Sequence, residues 1–290
     1  MQSSNPVFRR AGGFNGQRTY SASGMSYPSY GSRGTRTADP YSISGDGGYG
    51  VDTGPVRTGA DRGPMTIDSV VQKTAVTVGL VVLAAAVTWV VTPNPRAFGA
   101  DLGSLYLLSM VGAFGGFALS MVNSFKRVVS PGLVMAYAVL EGLFVGGFSK
   151  LLEGSFGGGI VVGAVAGTAA AVAGTLAAYR FFNIRVTPTF QKWVIGAMFG
   201  FVAVALLDMV LGIFHASFGF NGFGPMGLLA SVVGLGLGVL MLILDFDFVE
   251  RGIAAGLPER ESWRAAFGLT VTIIWIYVEL LRILAILRGD

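Results

Sequence analysis

The sequence contains no cysteine and a single histidine, His215. These absences exclude disulfide scaffolds, cysteine-ligated zinc or iron–sulfur sites, histidine-rich metal centres and thiol nucleophiles. Charged residues are also scarce: they make up 12% of the 290 residues, against about 25% in a soluble domain. With 52% hydrophobic residues and so little charge, the chain cannot cover a water-facing surface. The composition therefore predicts an integral membrane protein.

Residues 1–69 differ from the rest of the chain, because they are rich in Gly, Ser, Tyr, Pro and Arg and contain no long apolar run. Such a segment cannot bury enough apolar surface to offset the entropy of ordering it. We expect a disordered cytoplasmic tail over residues 1–69, followed by a membrane domain over residues 70–290. The tail's seven arginines fit either a solvated segment or a weak binder of anionic lipid or of a protein partner.

Seven apolar stretches follow the tail, each close to the ~20 residues that cross a ~30 Å hydrocarbon core. They cover about residues 74–91, 102–122, 129–149, 157–179, 193–214, 226–248 and 265–287. Unpaired backbone polar groups are not tolerated in lipid, and barrel strands would be shorter and would alternate, so the stretches are predicted to be helices. The predicted fold class is an all-α integral membrane protein, a bundle of seven transmembrane helices.

The distribution of Lys and Arg indicates how the bundle is oriented. If the tail is cytoplasmic, Lys73 and eight loop residues lie on the cytoplasmic side, namely Lys126, Arg127, Arg180, Arg185, Lys192, Arg251, Arg260 and Arg264. The other side then carries Arg96, Lys150 and Arg288. This asymmetry predicts a multi-pass membrane protein with a cytoplasmic N-terminus and an outer C-terminus. The lipid bilayer is its predicted partner, and nucleic acid is not.

The fourth span carries small residues at i, i+4 spacing, namely Gly159, Gly163, Gly167 and Ala171. Small residues in such a stripe let two helix backbones approach closely within lipid. The second and sixth spans repeat the pattern more loosely. The stripes predict close helix packing, and no lysine follows the glycines as a phosphate loop would require.

Five acids lie within or at the end of a span: Glu141, Asp208, Asp245, Asp247 and Glu279. A charged carboxylate at the bilayer centre costs about 3 kcal/mol or more unless it is paired, hydrated or protonated. At ~1.5 Å of helical rise per residue, Glu141 lies about 18 Å from the cytoplasmic end, Asp208 about 22 Å, Glu279 about 21 Å and Asp245 about 5 Å.

The shared depth of Glu141, Asp208 and Glu279 predicts a cation or proton site in the outer half of the membrane. Ca²⁺ is the candidate metal, because it is a hard cation that takes oxygen ligands. Close carboxylates would bind protons in competition with the cation, which predicts pH-dependent ion passage. In the alternative, each acid is satisfied separately, Glu279 by Arg282 at i, i+3 and Asp208 by headgroup water.

Several motifs together resemble the Bax inhibitor-1/YccA family, also called the transmembrane Bax-inhibitor-motif family. They are AYAVLEGLFVGG in the third span, LILDFDF at the end of the sixth and WIYVELLRILAIL in the seventh. The opening SSNPVFRR and the stretch ILDFDFVERG resemble the actinobacterial branch, and this resemblance implies a location in a bacterial plasma (inner) membrane. The resemblance covers about residues 70–288 and the first ten residues.

The resemblance implies a seven-helix bundle with the last helix at its centre and a pH-sensitive calcium leak. In the family, an acid at the cytoplasmic end of the sixth helix pairs with an acid on the seventh, and Asp245 matches the sixth-helix acid. Aligning YVE selects Glu279 as its partner, whereas aligning LLRILAIL selects Thr272. Estimated depths of Asp245 and Glu279 differ by about 16 Å, and Thr272, about 10 Å deep, lies closer to Asp245.

The predicted function is a pH-sensitive Ca²⁺ leak channel or a cation and proton path gated by intramembrane carboxylates. Asp245, with Asp247, would form the cytoplasmic gate, and Glu141, Asp208 and Glu279 would face the ion. The alternative is a membrane regulator that transports nothing and binds a membrane protease or other membrane proteins, as YccA-type relatives imply. We expect no enzymatic activity and no cofactor, with Ca²⁺ as the transported ion.

Overall fold

The computed structural model describes residues 63–182 and 184–289, which contain seven α-helices and no strand. The helices are α1 (Ile67–Val91), α2 (Gly103–Phe125), α3 (Pro131–Phe156), α4 (Ile160–Phe181), α5 (Pro188–Ile213), α6 (Pro225–Ala254) and α7 (Glu261–Gly289). All seven are long and apolar enough to cross a membrane. The predicted all-α fold with seven membrane spans is confirmed. Residues 1–62 of the predicted tail lie outside the described residues.

Local sequence signals set several helix ends. Proline stands in the first turn of α3, α5 and α6, where its missing N–H costs nothing and its fixed φ suits a helix. Thr66 caps α1 in a capping box with Ser69, and Thr187 caps α5 by accepting the N–H of Phe190. These caps lie outside the apolar stretches, which is why the helices extend beyond most of the predicted spans.

The membrane domain begins earlier than the predicted boundary at residue 70, because α1 starts at Ile67 rather than near residue 74. The segment before α1 also belongs to the folded domain. Met65 is 1% exposed and its N–H donates to Leu257 O at 2.7 Å, while the N–H of Glu259 donates to Gly63 O at 2.9 Å. Because the residues around Thr66 are polar, a sequence analysis based on hydropathy does not predict these backbone contacts.

Consecutive helices alternate in direction, so the starts of α1, α3, α5 and α7 lie at one end of the bundle. We call this the basic end, because Lys73, Lys126, Arg127, Arg180, Arg185 and Lys192 lie there. Side-chain contacts at this end join Lys73 to Glu259 at 3.0 Å and Arg264 to Arg127 O at 2.8 Å. At the opposite end, Arg288 donates to Gly158 O at 2.5 Å.

Helix α7 occupies the centre of the bundle, in contact with α1, α3, α4 and α6. Hydroxyl groups on one face of α7 bond to α1 and α3: Ser262 to Ser69 at 2.7 Å, Thr270 to Thr77 at 2.8 Å, and Tyr277 to Ser149 at 2.6 Å. In contrast, α2 and α5 lie at the periphery and expose side chains such as Phe114 (71%) and Phe199 (74%). Apolar surface of this kind is suited to lipid.

The small-residue stripes pack as predicted. A Cβ added at Gly163 of α4 would lie 3.1 Å from Leu284, and one at Gly167 would lie 3.2 Å from Leu280, so the α4 stripe is covered by α7. Gly159 instead caps α4, with φ 97°. On α2, a Cβ at Gly112 would overlap the backbone of Phe144, so α2 and α3 are in direct backbone contact there.

Candidate functional site

The seam between α6 and α7 carries most of the polar groups within the bundle. Glycines on α6 allow α7 to approach, since a Cβ at Gly238 would lie 2.9 Å from the Trp275 ring. Near the basic end of this seam, Thr272 Oγ1 donates to Asp245 Oδ2 at 2.6 Å. Asp245 is partly buried. Gly268, one turn before Thr272 on α7, also faces the Asp245 carboxylate.

Glu279 lies two turns beyond Thr272, a displacement of about 10 Å along α7. It is 4% exposed and forms an ion pair with Arg282, with Nη1 and Oε2 separated by 3.4 Å. A Cβ at Gly234 would lie 2.7 Å from Glu279 Oε1, so the carboxylate is pressed against α6. Thr272, rather than Glu279, is therefore the α7 residue that contacts Asp245 in the structure.

Asp247 faces a different direction from Asp245, because two residues correspond to about 200° around a helix. Its carboxylate pairs with Arg251 one turn further along α6. Asp247 is 7% exposed, and Arg251 lies at the basic end of the bundle. Asp247 therefore lies near Asp245 along the chain without sharing the contact to Thr272.

Glu141 lies on the opposite side of the bundle, in the α2–α3 interface. A Cβ at Gly116 of α2 would be 2.6 Å from Glu141 Oε2, so the carboxylate occupies the space that the glycine leaves open. The side chain of Tyr137, one turn earlier on α3, hydrogen-bonds to Glu141. A half-buried carboxylate thus has a hydroxyl partner on its own helix.

Asp208, on α5 near the opposite end, is 2% exposed. Its Oδ1 accepts the backbone N–H of Phe218 at 2.8 Å and of Gly219 at 3.2 Å, and its Oδ2 accepts that of Asn221 at 2.8 Å. Headgroup water was the partner considered from the sequence. The α5–α6 loop takes that role because it folds back onto α5.

The structure does not bring Glu141, Asp208 and Glu279 together. Within residues 63–182 and 184–289, no group of three or more Asp, Glu, His or Cys residues could hold a metal ion. The predicted shared cation site is therefore wrong, and no Ca²⁺ position follows from it. Similar depth did not mean proximity, because the three side chains point respectively to α2, to the α5–α6 loop and to α6. The separate-satisfaction alternative is confirmed for Glu279 with Arg282.

One stripe of α7 faces α6 along the seam, formed by Thr272, Trp275, Glu279 and Arg282 at positions i, i+3, i+7 and i+10. Trp275 Nε1 donates to Gly234 O at 2.9 Å, which places an indole ring between the Asp245 and Glu279 levels. The sequence analysis missed Trp275. The helical spacing of these four residues was the signal that could have found it.

Comparison with known proteins identifies the family. Residues 5–289 match the sequence profile described as Bax inhibitor 1 like. The chain belongs to this family. The match includes residues of the tail that the resemblance from motifs had left out. The chain is therefore a multi-pass membrane protein of the Bax inhibitor 1 like family.

The chain is also similar to an uncharacterized protein of Chlamydia muridarum, with 30% identity over 159 residues. The aligned region covers 53% of this chain and 64% of the relative. The chain thus spans a little under two thirds of that relative's length. The printed description of the relative assigns it no activity, so the function of this Bax inhibitor 1 like chain is argued from its own side chains.

Proposed function

We propose that this protein is a pH-sensitive cation leak that conducts Ca²⁺ along the α6–α7 seam and is gated at the Asp245–Thr272 contact. The observation that carries the proposal is the 2.6 Å hydrogen bond from Thr272 Oγ1 to Asp245 Oδ2, which joins two membrane-spanning helices through an ionisable group. Intramembrane carboxylates of this kind mark ion and proton paths in other membrane proteins.

The chemistry of the seam supports a cation as the conducted species. Carboxylates at Asp245 and Glu279 lie at two levels of the seam, with the Gly234 carbonyl and the Ser231 and Thr272 hydroxyls nearby. All are oxygen ligands, which suit a hard cation such as Ca²⁺. The Trp275 indole and the Arg282 guanidinium lie among these oxygen ligands, so the seam is closed to a cation in this conformation.

The sign of the pH dependence follows from the partners of Asp245. A carboxylate can accept about four hydrogen bonds, and Thr272 is the hydroxyl donor bonded to Asp245 among the described residues. In the closed seam the ionised Asp245 carboxylate therefore has too few hydrogen-bond donors. It gains donors when water enters the seam. Protonation at low pH favours the closed seam, and ionisation at higher pH favours the open one. We expect Ca²⁺ flux to rise with pH.

The test measures Ca²⁺ flux into proteoliposomes at several values between roughly pH 5 and pH 8. Asp245→Asn should give low flux that no longer changes with pH, because its side chain stays neutral. Asp68→Asn is the matched control, since Asp68 is exposed in the first turn of α1 and should leave the profile unchanged. A pH profile that Asp245→Asn leaves intact would refute the gate.

A truncation distinguishes the proposed ion leak from the regulatory alternative. Deleting residues 1–62 keeps Gly63 and Met65, whose backbones bond to the α6–α7 loop. Under the proposed function, the truncated protein retains its pH-dependent flux. A folded protein that shows no flux at any pH, with or without residues 1–62, would favour a regulator of other membrane proteins.

A further inference from the structure

The α5–α6 loop, residues 214–224, is folded into the opposite end of the bundle rather than lying free above it. Asp208 of α5 holds the loop by accepting three of its backbone N–H groups at 2.8–3.2 Å. Asn221 returns a bond by donating its Nδ2 to Ala205 O at 2.7 Å. The buried Asp208 carboxylate thus replaces backbone carbonyls as the acceptor for N–H groups in the middle of the loop.

Arg282 of α7 holds the same loop from the other side. Its Nη2 donates to Phe220 O at 3.1 Å and to Gly222 O at 3.4 Å, while its Nη1 pairs with Glu279. The Arg282 side chain is 11% exposed. The loop is therefore held between two buried charges, one accepting from its N–H groups and the other donating to its carbonyls.

An aromatic series closes the space beneath the loop. The Phe220 ring lies 5.0 Å from Phe201 of α5, and Phe201 lies 5.7 Å from Trp275 of α7 in an edge-on arrangement. Between the loop and the level of Trp275, Ser231 is 0% exposed and Glu279 is 4% exposed. The loop and its rings separate the polar groups of the seam from the opposite end of the bundle.

A cavity of about 500 Å³ lies beside the loop, between α5 and Trp275. It is lined by Val202, Leu206 and Met209 of α5 and by Ser217 and Asn221 of the loop. A loop that is fixed by polar contacts and borders a cavity can shift without dismantling a packed core. Gly219, with φ 85°, lies within the segment that Asp208 holds.

We propose that residues 214–224 form a lid over the α6–α7 seam, and that Asp208 and Arg282 are positioning residues that hold it shut. This inference rests on the proposed function, because the lid is then a second barrier in series with the Asp245–Thr272 contact. The lid controls access from the opposite end, whereas Asp245 controls the basic end. Breaking either anchor exposes the polar groups around Glu279 to water.

The test uses a cysteine placed beneath the lid, which the cysteine-free sequence makes unambiguous. Ser231→Cys, in protein held in lipid nanodiscs with both ends accessible, is treated with a charged methanethiosulfonate reagent. The thiol should react slowly, because its site is fully buried. Asp208→Asn, added to this variant, removes the charge and replaces one of the two acceptor oxygens with an amide NH₂, so the reaction should become about tenfold faster or more.

Ser262→Cys is the matched control for loss of structure, because Ser262 is also 0% exposed but lies at the basic end. Asp208→Asn should leave the Ser262→Cys reaction unchanged. Equal acceleration at both sites would mean general loosening, and no acceleration at Ser231→Cys would mean that Asp208 holds no lid. Either result overturns the inference, and neither depends on measuring ion flux.

A redox lock provides a second, independent variant. A Cβ at Gly212 would lie 3.8 Å from Ser217 Cβ, the usual Cβ separation in a disulfide. In Gly212→Cys/Ser217→Cys protein, oxidation should reduce Ca²⁺ flux and reduction should restore it. Flux that is present but indifferent to the lock would overturn the lid while leaving the proposed function intact. If Asp208→Asn accelerates the labelling of Ser231→Cys but the protein conducts no Ca²⁺, the lid is supported and the proposed function is overturned.

Discussion

Thr272 of α7 donates its hydroxyl to Asp245 of α6 across 2.6 Å, at the position where the family resemblance implied a pair of acids. A hydroxyl cannot share the Asp245 proton as a second carboxyl would. It can only stabilise whichever form of Asp245 is present, and it stabilises the ionised form more strongly because charged hydrogen bonds are stronger. The pH response of this chain would therefore belong to one carboxyl rather than to a coupled pair.

Replacing Thr272 tests that relationship. Thr272→Val keeps the shape and removes the donor, so an ionised Asp245 in the closed seam loses a bond worth about 1.5–3 kcal/mol. We expect Ca²⁺ flux at the upper end of the pH range to rise by about tenfold or more, with a smaller change at low pH. Thr272→Ser, which retains the hydroxyl, should restore the original profile. An identical profile for the Val and Ser variants would contradict the assignment.

Two glycines of α6 provide a packing test with an internal control. A Cβ at Gly234 would lie 2.7 Å from Glu279 Oε1 and 2.9 Å from the Phe201 ring, whereas none of the described atoms lies within 4 Å of one at Gly236. Gly234→Ala should lower stability by about 1–3 kcal/mol through overpacking. Gly236→Ala should be neutral or stabilising by up to about 1 kcal/mol, because alanine favours a helix. Thermal unfolding in detergent distinguishes them, and equal melting temperatures would contradict the packing.

A buried lysine fastens α3 to the end of α1. Lys150 is 6% exposed and donates to Trp89 O at 2.6 Å and to Thr92 O at 2.5 Å, which satisfies carbonyls that the end of α1 leaves unpaired. Lys150→Met keeps much of the apolar stem but removes these donors. We expect a loss of about 2 kcal/mol in stability, allowing for the cost of burying the charge. Lys192→Met, at an exposed position, should change the melting temperature little.

The contact between α1 and α7 at the basic end can be captured as a disulfide. Ser69 Oγ and Ser262 Oγ are 2.7 Å apart, and the chain has no other thiol to interfere. Ser69→Cys/Ser262→Cys protein should oxidise readily and run faster on a non-reducing gel, while either single variant should not. Failure to form the bond under oxidising conditions would contradict the early start of α1, since residue 69 lay in the predicted tail.

Hydropathy was enough to predict the helices but not their ends or their partners. Thr66 and Ser69 form a capping box, yet their polarity made them part of the tail in the sequence analysis. Asp208 was recognised as an unusual acid, but its partners are backbone N–H groups of a loop ten or more residues away. Backbone N–H donors have no sequence signature, so the contacts between Asp208 and the proposed lid could not have been predicted.

The sequence by itself determined the number of membrane-spanning helices and the approximate stretch of chain that each one covers. It could do so because the bilayer sets the length and polarity of each span. Tertiary structure alone decided the partner of each acid. Glu141, Asp208 and Glu279 were predicted to share a depth but face different neighbours, since the rotation and order of helices depend on packing around α7. The same packing placed Thr272, rather than Glu279, against Asp245.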